Sequence, residues 1–232
     1  MKSRPGLIPA IVGAVTAPIV IVAIAVVALL DPLWVSFEQA RSDVTAWTGF
    51  TADQVNQVTG SILANLVFGP PSFDVKLNGV QVLDPKEVSH MQDVRGVFMM
   101  LGLVALAALV LLGAAFAFGR GRRLFWRAIE LGANVLMVGV VVVGLFVVTF
   151  FDQVFLLFHD IFFAQGTFMF DPRTEKLVQL FPDQFWNDTS FVLAIVILAL
   201  ALGLRAFARR RQESIDEEPL AAARTMAPQL GQ

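Results

Sequence analysis

Four long apolar segments set the architecture that this chain can adopt. They cover about residues 8–30, 96–118, 128–150 and 188–208, and each is long enough, or nearly so, to cross a bilayer as a helix. Such a helix needs roughly 20 apolar residues, and backbone polar groups inside lipid must form their hydrogen bonds within the segment. The sequence therefore predicts an all-α membrane protein with four transmembrane helices in a single membrane domain, residues 1–208.

The charged residues between these segments are distributed unequally. If both termini face the cytoplasm, the inner side holds eleven of the 17 basic residues but only five of the 19 acidic ones. The outer side, which includes residues 31–92 and 152–187, holds the rest. Basic residues beside span ends on one side follow the positive-inside pattern. We therefore expect both termini to be cytoplasmic (N-in, C-in). The polar tail, residues 209–232, is expected to be disordered.

The first outer segment carries the signals of a folded cap. Thr51 and Gln54 have the spacing of a capping box that opens a helix, and the Gly-Pro-Pro run at 69–71 ends that helix. The Asn-Gly pair at 78–79 lies between two short alternating stretches, which is a strong hairpin signal because both residues accept positive φ. The sequence thus predicts an extracytoplasmic cap containing a helix and a small β-hairpin.

One unbroken helix is predicted from residue 85 through the second span. Asp84 has the position of an N-cap, Pro85 that of the first helical residue, and Glu87 brings an acid into the first turn. His90 follows in the second turn. Glu87, His90 and Asp93 are three residues apart and share a face of this helix.

The third span leads into a stretch rich in phenylalanine, residues 151–170, which contains the other histidine, His159. Residues 153–163 favour a short interfacial or re-entrant helix, which Gly166 and the Asp-Pro pair at 171–172 would end. A second short amphipathic piece is expected before Pro182.

Several kinds of chemistry are excluded or poorly supported. The chain has no cysteine, which excludes disulfides and thiol catalysis. Its two histidines are far apart in sequence and lie in no HExxH motif, so support for zinc is weak. The GxSxG, phosphate-loop and dinucleotide motifs are absent as well. We expect no metal, no other cofactor and no nucleic-acid partner. The candidate chemical group is His90, Asp93, His159 and Asp160.

These residues have two interpretations. Taken singly, a histidine or aspartate at the end of a span can serve as an anchor at the lipid–water boundary, and clustered phenylalanines usually pack or contact lipid. Taken together, both histidines fall at the outer ends of spans that a short inner hairpin joins. Antiparallel helices joined in this way normally pack side by side, so the two imidazoles are predicted to face each other.

Three blocks of sequence carry a family resemblance. They are residues 90–94 (HMQDV), residues 158–163 (FHDIFF) and residues 180–185, which contain Leu-Phe-Pro and a further phenylalanine. With these blocks, the chain resembles the lipoprotein intramolecular transacylase family of bacterial four-span membrane proteins. The similarity runs from the first span to the fourth.

The resemblance implies an acyl shift on a diacylated lipoprotein at the outer face of the bacterial cytoplasmic membrane. The sn-2 acyl chain of the diacylglyceryl-modified N-terminal cysteine would move to the α-amino group of that cysteine, giving the lyso form. By motif match, His90 and His159 are the catalytic positions. We expect His159 to be the general base, held by Asp160 or a backbone acceptor, and His90 to be oriented by Asp93. The candidate substrate-binding residues are Met91, Arg95, Phe158, Phe162, Phe163 and Phe168.

Two other functions remain open. The chain can be a non-catalytic envelope protein that binds membrane lipid or a partner protein through its cap. It can also be a different membrane acyltransferase or lipid hydrolase that uses the same histidines. Ser89 is a possible nucleophile, but its side chain points about 100° away from that of His90 on a helix. The oligomeric state is not predicted.

Overall fold

The computed structural model of the chain describes residues 6–163 and 167–226, with side chains up to residue 217 of the last helix. Helices dominate this part of the chain, and the one sheet within it is a two-stranded antiparallel hairpin. The elements, in chain order, are α1 (Leu7–Leu29), α2 (Pro32–Arg41), α3 (Val44–Thr48), α4 (Ala52–Val67), β1 (Lys76–Leu77), β2 (Val80–Gln81), α5 (Pro85–Gly119), α6 (Arg123–Thr149), α7 (Phe151–Phe162), α8 (Lys176–Leu180) and α9 (Asp183–Met226).

Four of these helices, α1, α5, α6 and α9, are long and apolar enough to cross a membrane. Their most apolar windows have mean hydropathies between 2.6 and 2.8. Only 6% of that window in α5 and 11% in α6 is buried within the chain, so most of their apolar side chains face outward, as suits lipid. The predicted four-span, all-α class is confirmed. Both α5 and α9 begin well before their predicted spans, so their first turns precede the apolar part.

The membrane domain that the sequence predicts as one piece divides into two compact units. Each long helix contributes residues to both units. The first unit consists of the described residues within Met1–Ile24, Val104–Val141 and Ile195–Gln232, and the second unit of those within Ala25–Leu103 and Val142–Ala194.

The first unit has an aromatic core. Phe125 and Trp126 are buried, and their rings meet edge to face with centroids 5.1 Å apart. Beside them α6 approaches α1 closely at Gly132, where a Cβ atom would lie 2.3 Å from the carbonyl oxygen of Ala14. The glycine is therefore required by the packing of these two helices.

The last helix of the first unit extends beyond its apolar part. α9 continues through residues 209–226, where the composition predicts a disordered tail, and this corrects that prediction. Polar contacts with α6 explain the difference: Arg209 and Gln212 donate hydrogen bonds to Glu130 at 2.7 and 2.9 Å. One turn further on, Asp216 pairs with Arg123 at 3.2 Å. Residues 227–232 lie outside the described part.

The second unit contains the predicted cap. Thr51 and Gln54 form a complete capping box at the start of α4. Asn78 and Gly79 turn the hairpin with φ angles of 53° and 82°, and the strands pair in the register Lys76↔Gln81. The helix and the hairpin are therefore formed as predicted. Their shared hydrophobic core includes Val58, Ile62, Phe73, Val75 and Leu83.

Two short helices of this unit, α2 and α3, are not predicted by the apolar pattern. Asp31 caps α2 by accepting a hydrogen bond from the backbone of Leu33 at 2.9 Å, with Pro32 at the first helical position. The buried face of α2 is partly polar, which obscures its helical period. On that face, Gln39 donates a hydrogen bond at 2.9 Å to the carbonyl oxygen of Leu180, at the end of α8.

The predicted pair of short helices between the third and fourth spans is present. α6 ends at Thr149, and α7 occupies Phe151–Phe162, close to the predicted 153–163. α7 has apolar side chains on most of its exposed surface and buries His159. α8 is the second short piece before Pro182. Gly166, predicted to end the first of these helices, lies outside the described residues.

Candidate active site

His90 and His159 lie side by side, one in the second turn of α5 and the other in the last turn of α7. The centroids of their rings are 5.9 Å apart and the ring planes are inclined by 20°. Their exposed fractions are 6% and 9%. The fold thus brings the two histidines of the chain together as one buried pair, close enough for a single substrate group to bridge them.

The imidazole of His159 has a defined tautomer and a perturbed pKa. Its Nδ1 donates a hydrogen bond to the carbonyl oxygen of Phe155, one turn earlier in α7, at 2.7 Å. This leaves Nε2 as the acceptor in the neutral ring. Burial lowers the pKa of His159, and the Phe155 carbonyl and the charge of Asp160 oppose this shift only in part. At neutral pH the ring is therefore an uncharged base.

The imidazole of His90 is held by aromatic packing. The ring of Phe163 meets it edge to face at 4.8 Å and that of Phe170 at 5.3 Å. Its Nδ1 is buried and has no hydrogen-bond partner in the described part of the chain. Because buried polar atoms are normally paired, this nitrogen is available to a group that the protein does not supply.

Phenylalanine rings surround His159 as well. Centroid distances to its ring are 4.2 Å for Phe155, 5.4 Å for Phe158, 5.3 Å for Phe163 and 5.1 Å for Phe168. Three of these rings are candidates from the sequence; Phe155 and the neighbour of His90, Phe170, are not. Phe155 could have been found from the sequence, because it lies four residues before His159 and therefore on the same face of a helix. No local pattern indicates Phe170.

The two candidate aspartates lie beside the pair without bonding to it. Asp93 and Asp160 are exposed, and within the described residues no hydrogen bond joins either carboxylate to a histidine ring. Asp160 acts on His159 through its charge, which raises the pKa. The group that accepts the hydrogen bond from His159 is the backbone carbonyl of Phe155. The sequence left open whether this acceptor is Asp160 or the backbone. Adjacent residues on a helix point about 100° apart, which explains why Asp160 faces away.

The remaining candidate residues divide between packing and surface. Met91 is buried in the hydrophobic core of the cap. The side chain of Arg95 donates a hydrogen bond to the carbonyl oxygen of Asn65, in the last turns of α4. Phe158 and Phe162 leave 44% and 42% of their surfaces exposed. Arg95 is thus engaged in holding the cap, whereas the two phenylalanines present an apolar surface next to the buried pair.

Two open grooves lie elsewhere in the second unit. They have volumes of about 260 and 240 Å³ and run between α2 and α4, where both are lined by Ser36 and Asn56. Neither groove is lined by a histidine. Within residues 6–163 and 167–226, no cluster of three or more His, Asp or Glu side chains is placed to hold a metal ion.

Comparison with known proteins identifies solved structures with the same fold. A solved structure of the membrane integral lipoprotein intramolecular transacylase Lit from Bacillus cereus superposes with a TM-score of 0.80 at 15% sequence identity, covering 90% of this chain and 96% of that chain. A variant of that protein with a histidine replaced by alanine gives 0.75 at 16% identity, covering 90% and 94%. No curated protein matches the chain.

These identities are low, and the structural likeness therefore establishes the fold. The sequence match is more specific. The family model for the lipoprotein intramolecular transacylase Lit matches residues 11–186, which is most of the chain and includes both histidines. The chain belongs to the lipoprotein intramolecular transacylase family.

Proposed function

We propose that this protein transfers the sn-2 acyl chain of a diacylglyceryl-modified lipoprotein N-terminus to the α-amino group of the same cysteine. The observation that carries the proposal is the buried pair of imidazoles with centroids 5.9 Å apart. One ring keeps Nε2 as the acceptor of its neutral form, and the other has an unpartnered buried nitrogen. An ester-to-amide transfer requires two such groups, one to remove a proton and one to deliver it.

His159 is the general base of this reaction. An α-amine has a reference pKa of about 7.7–8.0 and attacks only when neutral. The Nε2 of His159 takes a proton from the amine as its nitrogen bonds to the ester carbonyl carbon. Because burial lowers the pKa of His159, the ring is neutral and ready to accept that proton.

His90 completes the transfer. Its Nδ1–H polarises the carbonyl or gives its proton to the departing glyceryl oxygen as the carbon–oxygen bond to glycerol breaks, and the proton that His159 took from the amine then returns to His90. The proton lost by the nitrogen is regained by that oxygen, so substrate and product are isomers and no water or cofactor is consumed. Donor and acceptor belong to one molecule, and holding them in a reactive geometry supplies much of the rate enhancement.

The exposed aromatic side of α7 is the proposed surface for the acyl chains. The rings of Phe158 and Phe162 are in contact with centroids 4.9 Å apart, and Ile161 next to them is 66% exposed. An apolar helix face of this kind suits lipid chains. Met91, Arg95 and the exposed aspartates are proposed to support this surface indirectly, through packing and charge.

The site is proposed to lie at the outer face of the bacterial cytoplasmic membrane. The basic residues that precede α6 and those that follow the apolar part of α9 support a cytoplasmic location for those helix ends by the positive-inside pattern. The opposite ends of the same spans, near His90 and His159, then face outward. Lipoproteins carry their modified N-termini in the outer leaflet on this side.

Mass spectrometry of lipoprotein N-termini tests the proposal. Cells that produce the protein are expected to carry the lyso form, with an acyl chain on the α-nitrogen, whereas cells without it carry the diacylated form. His90→Asn and His159→Asn are expected to abolish the lyso form at normal expression. An unchanged lipoprotein pattern in all strains would contradict the transacylase and leave the non-catalytic lipid- or protein-binding function.

A further inference from the structure

A short segment of the second unit covers the histidine pair. This cover segment, residues 168–177, runs from the end of the phenylalanine-rich stretch into α8. Phe168 packs on the ring of His159 with centroids 5.1 Å apart, and Phe170 packs on His90 at 5.3 Å. The two histidines are 6% and 9% exposed with the cover in place, so the cover and the neighbouring phenylalanines together shield them from solvent.

The first turn of α5 contacts the cover segment near both of its ends. Lys86 donates to the carbonyl oxygen of Met169, lies 3.3 Å from the carboxylate of Glu175, and sits 4.8 Å from the ring centroid of Phe170. Glu87 accepts a hydrogen bond at 2.5 Å from the backbone of Leu177. Both residues precede His90 on the same helix, so the start of α5 positions the histidine and also binds the segment that covers it.

Glu87, like Glu38 in α2, is an acid that is only 1% exposed. Its second carboxylate oxygen accepts a hydrogen bond from the backbone of Asp84 at 2.6 Å, and its own backbone donates to the Asp84 side chain at 2.8 Å. A helix N-cap needs only these local contacts. The further bond, to Leu177 ninety residues away in sequence, is not required by the cap and has no part in the proton transfers described above.

We propose that Glu87 is a positioning residue that holds the phenylalanine cover closed over the histidine pair and so excludes water from the acyl transfer. This inference rests on the proposed function. Water competes with the amine for the ester carbonyl. If water attacks, its oxygen bonds to the acyl carbon, the carbon–oxygen bond to glycerol breaks and the glyceryl oxygen takes a proton. The products are then a free fatty acid and a deacylated lipoprotein instead of an isomer of the substrate.

The partition between these two products is the test. Purified protein in lipid vesicles is mixed with a synthetic diacylated lipopeptide, and mass spectrometry separates the N-acylated isomer from the lighter hydrolysis product. Glu87→Gln keeps the shape but presents an amide N–H to one of the two donors, and Glu87→Ala removes both acceptors. Each is expected to raise the hydrolysed fraction about tenfold over wild type, the effect of losing one hydrogen bond to a charged group. The control is Asp53→Asn, an exposed first-turn acid in α4.

Hydrogen exchange supplies a readout that is independent of activity. The peptide containing residues 168–177 is expected to exchange about ten- to a hundredfold faster in both Glu87 variants than in wild type, while peptides from α4 remain unchanged. A lower yield of folded protein reduces both reaction products equally, and it cannot imitate a changed partition.

Three results would overturn the inference. If exchange is unaltered, Glu87 does not hold the cover. If exchange rises but the partition stays at the wild-type value, the cover does not exclude water. If wild type forms neither product, the proposed function fails, and the water-exclusion role fails with it, whereas the exchange result still reports whether Glu87 closes the segment. Failure of the inference alone leaves transfer by wild type, and its loss in His159→Asn, intact.

Discussion

Each of the two units contains an aromatic cluster with polar groups, but the hydrogen bonding of these polar groups differs between the two clusters. In the first unit Trp126 donates its indole hydrogen to the carbonyl oxygen of Arg120 at 2.7 Å, and the carboxylate of Glu130 accepts from Arg209 and Gln212. In the second unit the Nδ1 of His90 is buried without a partner in the described residues. These hydrogen bonds stabilise the first cluster, whereas the second contains a pair of buried imidazoles, which is the proposed place for chemistry.

The largest effect that separates the two clusters is expected in the rate of acyl transfer. His159→Asn removes the acceptor nitrogen and is expected to slow the reaction by at least about 100-fold, the usual contribution of a general base. Trp126→Phe, in the other cluster, should leave the rate per folded molecule unchanged. Rates of lyso-form production by purified variants in lipid vesicles check this. Equal losses of rate in the two variants would show that the two clusters do not differ in their contribution to acyl transfer.

The second effect lies in stability and belongs to the first unit. Gly132→Ala places a Cβ atom 2.3 Å from the Ala14 carbonyl oxygen, and it is expected to lower the free energy of unfolding by about 1–3 kcal/mol through overpacking. Thermal unfolding in detergent measures this. Gly139→Ala, with nothing within 4 Å of its added Cβ, is the matched control on α6. A Gly132→Ala protein as stable as the control would show that this helix contact is looser than described.

A smaller effect concerns the pH dependence of the rate. Two ionisations shape the rise of the rate with pH. The substrate amine becomes neutral near its reference pKa of about 7.7–8.0, and His159 loses its proton below the ordinary value of 6.5 because burial lowers its pKa. The charge of Asp160 raises the pKa of His159, so Asp160→Asn should move the His159 part of the rise further down. Asp93→Asn is the control and should leave the rise in place. If the rise moves to higher pH in Asp160→Asn, the charge of Asp160 does not raise the pKa of His159.

The smallest effect is expected at the ion pairs of the first unit. Arg209 is 57% exposed in its pair with Glu130, and exposed pairs of this kind contribute about 0.2–1 kcal/mol. Arg209→Gln should therefore lower the free energy of unfolding by about 0.5 kcal/mol and leave acyl transfer unchanged. A loss of activity at normal stability would indicate that the first unit has a part in the reaction.

Local signals in the sequence were sufficient for much of the fold. The four apolar segments, the capping box at Thr51 and the Asn-Gly turn at 78–79 each depend on residues close in the chain, and each was predicted correctly. α2 was missed because Gln39, on its buried face, is polar and is satisfied by Leu180, which is remote in sequence. The tail after residue 209 was misjudged because its partner, Glu130, lies on another helix.

The site divides in the same way. The meeting of His90 and His159 follows from span ends and from a short connection between two spans, which are visible in the sequence. The position of Phe170 against His90 and the bond from Leu177 to Glu87 depend on the path of the cover segment. That path is set by contacts between residues far apart in the chain, for which one sequence carries no local pattern.

The central claim is that the two imidazoles act on one substrate molecule as a unit. The most direct test is the acyl-transfer rate of the His90→Asn/His159→Asn double variant, compared with that of each single variant in the same vesicles. Groups that act together show strongly non-additive losses, so the double variant is expected to be no slower than the slower single variant. Losses that multiply, or single variants as fast as wild type, would contradict a shared catalytic site.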